Sequence, residues 1–488
     1  YTQPGLRAKR RGTVKHNASA VSTFEFQAIS DFWTNDGEQM FVAVTDNGLY
    51  VDQTASGTWT QTAAGAGFSA LGQRANIVVA QGYAVASNSL GTQKPRKTPV
   101  YTAGDWTDLA TEVPNFEGAV YHLRRLWGFL TNSSTIYFTA ASDITDWIGE
   151  DAGSLIFDED DMDKVVGISK PFRGSIYVFK GPNVGSIHVV GGRVLRQLTH
   201  DRIMDAAPCV GHASIITTPN DVYWLSPYGA HSLSATQKYG NTEEAYICHR
   251  IRPEFNNLQT DAMDRAVGFY HPTRNLIGWF VPEGGTTFNG FALVYNYALD
   301  RWSQWIYPFG VRSCMVARDP TPGVAERGRQ RLYLGGYDGY VRAADQSVLL
   351  DDGTTPYTAV IRFAAVTKMG DTMPETAEKS YQSITTFVVP NATDSDVELT
   401  VSCDGRSQIF TVSMLAPNSF VFGLTTPAFG EIPFGGITGG LMGVETPYSE
   451  RGRTIGLQYV QAGGEQDLNV FGYAVRAVPA EGIAMEVS

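Results

Sequence analysis

The chain has 488 residues, 18% of them charged, and a formal net charge of −12. That length is too great for one ordinary core and predicts two or three domains. So few charges exclude a coiled coil or a disordered tail. The 51 Gly, 23 Tyr, 25 Phe and 9 Trp favour many short strands joined by tight turns.

Residues 1–20 form a basic arm, with Arg7, Lys9, Arg10, Arg11 and Lys15 and no acid. Tyr1 is not an initiator Met, so a trimmed or processed start is expected. No basic-then-apolar leader opens the chain, and no apolar run approaches the ~18 residues that span a bilayer, so no membrane insertion is expected. The sequon-like Asn17-Ala-Ser and Asn391-Ala-Thr are read as chance matches.

From 21 to 353 strand-like runs recur with a common ending. Leu49-Tyr-Val51 leads to Gly57-Thr-Trp59, and Tyr83-Ala-Val-Ala86 to Gly104-Asp-Trp106. Ile136-Tyr-Phe138 leads to Trp147, and Leu293-Val-Tyr295 to Asp300-Arg-Trp302. The spacing matches the roughly 40–50 residues of a four-stranded propeller blade. It predicts Trp59, Trp106, Trp147 and Trp302 as blade-packing residues at equivalent positions.

Hairpins are expected between 175–179 and 186–190, between 221–225 and 230–233, and between 331–334 and 339–341, each across a Gly- or Pro-containing turn. Together these units predict a β-propeller of six or seven blades. Between 241 and 258, Ile247, Ile251, Phe255 and Leu258 recur at helical spacing behind Asn241 and Thr242, which predicts a short helical insertion broken near Pro253.

From 354 to 488 the texture changes. Val397, Leu399 and Val401 alternate with polar residues, as do Ile455, Leu457 and Tyr459, and then Phe471, Tyr473 and Val475. No Trp follows Trp305. This predicts an antiparallel β-sandwich. Residues 351–488 carry 7 basic and 16 acidic side chains. Within the sandwich, 425–453 reads as a long Gly/Pro loop. Its apolar Phe429, Ile432, Phe434, Ile437, Leu441 and Met442 make it a candidate gate or subunit contact, unless they fold back on the sandwich.

Catalytic patterns are missing from the sequence. It holds no G-x-S-x-G elbow, P-loop, H-E-x-x-H or dinucleotide fingerprint. The four cysteines, Cys209, Cys248, Cys314 and Cys403, lack metal or redox spacing and are expected as buried free thiols, which suits synthesis in a reducing cytoplasm. Asp158-Glu-Asp-Asp-Met-Asp163 invites a calcium reading, but lacks the Gly and terminal Glu of an EF-hand loop, and a solvated inter-blade turn is the alternative. A propeller glycosidase or depolymerase acting on host surface glycan, or a monomeric glycan-binding module, stays as the rival. However, Gly57-Thr-Trp59 and Gly104-Asp-Trp106 lack the Asp offset of sialidase-type boxes, and no carboxylate pair stands out. No catalytic residue, cofactor or metal is expected.

Several segments resemble, in order, the tail nozzle and packaged-DNA stabilisation proteins of short-tailed (podovirus-type) bacteriophages. These are Gly5-Leu-Arg-Ala-Lys-Arg-Arg-Gly-Thr13, then Asp160–Ile168 with Phe172–Phe179, then Ile203–Leu233. Ala266–Asn275 follows, with Val294-Tyr-Asn-Tyr297 and Arg301-Trp-Ser303, and Asp404-Gly-Arg406 with Phe429-Gly430 and Phe434-Gly435 completes the order. The resemblance implies a non-enzymatic virion protein made in the host cytoplasm. It implies a homohexameric ring below the portal and its adaptor that conducts and helps retain double-stranded DNA without reading its sequence. An acidic wall would let DNA slide, whereas clustered Lys and Arg would grip its phosphates. The arm residues would then anchor on an acidic neighbour.

Overall fold

The computed structural model describes the chain apart from residues 1–6, 9, 11, 22–24, 34–36, 100–105, 193–194, 235–245, 320–329, 345–348, 353, 367–377, 389–395, 415–441, 463–467 and 480–488. It divides into two compact units, 14–344 and a second made of 1–13 with 345–488.

The first unit is a β-propeller of seven antiparallel sheets. Blades 1 to 4 take their strands consecutively, with inner strands Phe26–Trp33, Ala75–Ala80, Gly118–His122 and Lys164–Ile168. Blade 5 has three described strands, from Ile216–Thr217 to Gly229–Ser232. Blade 6 starts at Val267–His271. Blade 7 runs from Ser313–Arg318 through Gln330–Gly335 and Val341–Ala344, and the N-terminal Thr13–Lys15 completes it. One end of the propeller sequence thus supplies the outer strand of a sheet built by the other end, so opening the ring would expose two unpaired strand edges. All three hairpins read from the sequence are present.

Seven apolar clusters fill the seven gaps between neighbouring blades. Val42 and Val44 of blade 1 meet Ala84 and Ala86 of blade 2, and the series closes where Phe41 of blade 1 meets Met315 and Tyr333 of blade 7. Each twisted sheet buries both faces, which is why its strands read as near-continuous apolar runs rather than alternating ones.

In the described part of the 241–258 insertion, the helix is shorter than the spacing suggests. That part holds a 3-10 turn at His249–Ile251 and one α-helical turn at Arg252–Phe255. Pro253 sits in that first turn, where its missing N–H costs nothing, while Phe255 and Leu258 are buried as the spacing required.

The second unit is a sandwich of two four-stranded sheets. One orders Arg7–Ala8, Asn469–Pro479, Lys379–Val388 and Met442–Gly452. The other orders Ala359–Val366, Ile455–Gln461, Asp396–Cys403 and Arg406–Ser413. Ile384, Leu399, Val401, Leu457 and Tyr459 form its core. Part of the expected 425–453 loop is therefore strand: Met442 begins an edge strand paired with Lys379–Val388. Thr446 and Tyr448 turn inward there, and Gly443 and Pro447 hide the alternation in sequence. Pro447 is tolerated because an edge strand leaves one side unpaired. Phe429, Ile432, Phe434, Ile437 and Leu441 lie outside the described residues.

Described residues of the basic arm have partners within the chain. Arg7 pairs with Val470 as a sandwich strand, and Arg10 forms a fork–fork ion pair with Asp351, its Nη1 donating to Oδ1 at 2.9 Å. The Arg10 guanidinium lies 3.8 Å over the Tyr357 ring, and Lys15 lies 4.1 Å over Tyr340. Gly12 is required here, since a Cβ would sit 2.0 Å from the Leu350 carbonyl oxygen. Arg10 and Lys15 thus have partners within the chain. Lys9 and Arg11 lie outside the described residues.

Candidate functional site at the mouth of the propeller axis

Five inner strands are each preceded immediately by a charged residue; Asp163 turns to the 183–185 N–H groups, and the other four are Glu25, Arg74, Glu117 and Arg312. The strands run in the same direction around the axis, so these side chains converge at one mouth. Asp264, in the connector leading into blade 6, joins them.

Arg74 is the hub. Its Nε and Nη2 donate to the two Glu117 oxygens at 2.5 and 3.2 Å, and its Nη1 donates to Asp264 Oδ2 at 2.6 Å. Burial alone would lower the guanidinium's pKa, but Glu117 and Asp264 outweigh it and hold it above its ordinary value. Thr131 Oγ1 donates to the second Glu117 oxygen at 2.8 Å. Glu25 Oε1 accepts from the Gly72 N–H at 2.7 Å and from Gln27 Nε2 at 2.8 Å, and its other oxygen lies 3.6 Å from Arg312 Nε. Arg312 Nη2 in turn donates to the Gln73 carbonyl.

Nearby, the connector into blade 5 contributes His212. Its Nδ1 accepts from the Ile168 N–H, and its Nε2 lies 3.2 Å from the Asn76 amide. Burial pushes its pKa down to about 4, so the ring is neutral at pH 7. Arg74 and Asn76 belong to blade 2, whereas Asp264 and His212 precede blades 6 and 5. These contacts cross the axis between blades that are not neighbours, in a network of three carboxylates and two guanidiniums.

The network limits the chemistry. Glycosidic cleavage needs one carboxylic acid and one available carboxylate. Glu117 and Asp264 are held by Arg74, and Glu25 is almost wholly buried under its own donors. Asp46 stands beside Glu25 with its carboxyl pushed up to about 6, first by burial and then by the Glu25 charge. It has the acid character, but its neighbour is not open to substrate.

The residues singled out in the sequence lie elsewhere. Trp59, Trp106 and Trp147 occupy the connection between the third and fourth strands of blades 1, 2 and 3, and Trp302 opens the fourth strand of blade 6. Each packs into the gap with the preceding blade, none is exposed, and Trp302 Nε1 donates to the Ile247 carbonyl. Ahead of Trp59, the buried Asp52 accepts from the Ser56 and Gly57 N–H groups and contacts His16. Gly57, with φ +91°, permits the approach, since a Cβ would lie 2.0 Å from the His16 carbonyl oxygen.

Asp158 and Asp161 of the acidic run are engaged by protein cations. Lys180 is completely buried, and its Nζ donates to the Phe157 and Asp158 carbonyls and to Asp161 Oδ1. An ammonium therefore occupies the oxygen cage that suggested calcium. Arg202 donates to Asp158, and Asp163 accepts from the backbone N–H groups of 183–185. Ser186, His188 and Asp158 come close but form no catalytic triad: both neighbours approach His188 Nε2, and its Nδ1 has no partner.

All four cysteines are free, and Cys209, Cys248 and Cys403 are buried. Burial pushes the Cys209 thiol up to about 11, which makes it unreactive.

Sequence reading missed the axial charges. A charged residue one place before an inner strand is a recognisable signal only once the blade phase is known.

No protein family and no curated protein sequence matches the chain. Among solved structures, it is similar to YCF48 from Cyanidioschyzon merolae, at 12% identity over 69% of this chain and 98% of that one, with a TM-score of 0.42. BamB from Moraxella catarrhalis gives 10%, 69%, 89% and 0.37, and the WD40 β-propeller domain of Doa1 gives 8%, 70%, 98% and 0.40. These likenesses concern the fold alone.

Proposed function

We propose that the chain is a non-enzymatic structural protein, the ring-forming nozzle of a short phage tail. In this reading it forms a homohexamer within the virion, adjoins portal and adaptor proteins, and conducts and helps retain the genome. The observation that carries the non-enzymatic part is the axial network: Glu117 and Asp264 are bound to Arg74, and Glu25 is buried under its donors. The nozzle part is supported by the ordered motifs that resemble that family. The acidic balance of 351–488 suits a wall that DNA slides past rather than grips. In this reading the DNA path is the lumen between subunits, and the Arg74–Asp264 and Asn76–His212 contacts that cross each propeller's own axis agree with it.

Particle images of the purified chain and of virion tails test this. Sixfold rings, together with no release of reducing ends from host capsule, are expected. A monomer that releases reducing ends, and loses that activity in Asp46→Asn, would replace the nozzle with the glycosidase reading.

A further inference from the structure

We propose that the propeller face at which the inner strands begin docks a basic protein partner over blades 3 to 6. This rests on the propeller geometry and not on the tail reading. The turns between second and third strands, and the connectors into each inner strand, lie at this end of the sheets. Ile156 ends blade 3 there, Met162 lies in the connector into blade 4, and Val184, Tyr228 and Phe288 sit on the turns of blades 4, 5 and 6. Met162 is 86% exposed, Val184 64%, Tyr228 63% and Phe288 53%, and Ile156 is half exposed.

Single exposed apolar residues are ordinary on any surface. Five on one face of four successive blades are not, and such patches mark interaction sites. Their types suit docking, since Tyr and Phe provide rigid anchors and Met adapts to a partner's shape.

Charge selects the occupant. Glu159, Asp160, Asp261 and Glu283 are exposed on the same connectors and turns, and they outnumber the exposed bases described there, of which Arg252 is one. Glu159 and Asp160 enter no ion pair among the described residues, while their neighbours Asp158, Asp161 and Asp163 are occupied by Arg202, Lys180 and backbone N–H groups. An acidic face repels nucleic acid and anionic lipid, and its field steers a basic surface into place. The partner's footprint is therefore Lys and Arg around apolar side chains.

The test uses the full chain and a labelled amphipathic Leu/Lys helical peptide, with a Leu/Glu peptide of equal length as control. Anisotropy should show the Leu/Lys peptide binding at least about tenfold more tightly than the control, and less tightly as salt rises. Met162→Glu with Val184→Glu, and separately Glu159→Lys with Asp160→Lys, should each weaken binding about tenfold or more without changing the circular dichroism spectrum. Glu150→Lys, at the opposite end of blade 3, should leave it unchanged. Equal binding of both peptides, no effect of the face variants, or an equal loss in Glu150→Lys would overturn the proposal. Two further results would overturn it by naming another occupant. One is binding to phosphatidylglycerol vesicles that Met162→Glu abolishes, and the other is a concentration-dependent dimer that the same variant dissolves.

Discussion

The propeller and the sandwich solve the same problem, burying β-sheet faces, with different side chains. All nine Trp and all eight His fall in 14–344, and the sandwich segments contain neither. The propeller must fill seven wedge-shaped gaps between twisted sheets, and large rings such as Trp127, Trp224 and Trp279 do so with no exposure. Two facing sheets leave one flatter gap, which Val, Leu, Ile and Tyr fill by simple alternation. Ring closure also brings polar connectors together, so the Arg74, Glu117, Asp264 and His212 contacts gather at the propeller axis. One consequence is practical: Trp fluorescence reports on the propeller, while far-UV circular dichroism reports on both units.

The sharpest way to break this comparison is Trp279→Ala. Its indole fills the gap between blades 5 and 6, and its Nε1 donates to the Ser214 carbonyl at 2.8 Å. The propeller should lose about 3–5 kcal/mol. The fluorescence-detected transition should move while the remaining dichroism transition stays. If both move together, the units unfold as one and the contrast fails.

Arg10→Ala tests the other unit. It would leave the buried Asp351 carboxylate without its guanidinium, and breaking a buried pair costs roughly 3 kcal/mol. The transition that fluorescence does not detect should fall. If the variant loses ring assembly but keeps its stability, the arm serves a neighbour rather than its own sandwich.

Mild acid should also separate the units. Burial pushes His212 and His271 down to about 4 and His231 down to about 3. Unfolded histidine titrates near 6.5, so between those values the unfolded chain binds the additional protons. The stabilisation is complete above about pH 6.5 and is lost as pH falls towards 4, at about 1.4 kcal/mol per histidine per pH unit. Asp46, raised to about 6, acts in the opposite direction over the same range but is one group against three. The fluorescence-detected melting temperature should therefore drop between pH 6.5 and 4.5 while the sandwich transition holds. In the sandwich, Asp404 is held below its usual range by Thr454 and the 453–454 N–H groups, and its contribution is lost only at lower pH. A sandwich that melts first on acidification would reverse the argument.

Much of the fold is legible in sequence because its determinants are local. The Trp59, Trp106 and Trp147 period, the hairpin turns and the loss of Trp after 305 mark blades, strand pairs and the change of architecture. Each depends on residues within one sheet, so the pattern of side chains carries it directly. The destinations of long-range partners are not encoded this way. Thr13–Lys15 completes a blade built some 330 positions later, Arg10 finds Asp351, and Arg74 finds Asp264 across the axis. Nothing near these residues marks their partners, since a free basic arm and a folded one have the same composition. Ring closure fixes which ends meet, and only then do the charges pair. The same holds for Lys180, whose burial converts an apparent calcium loop into the cage of an internal ammonium. The sequence by itself determined a repeated β architecture followed by a sandwich. The tertiary structure alone decided where its charges are spent, because an ion's partner is set by proximity in space and by the dielectric around it.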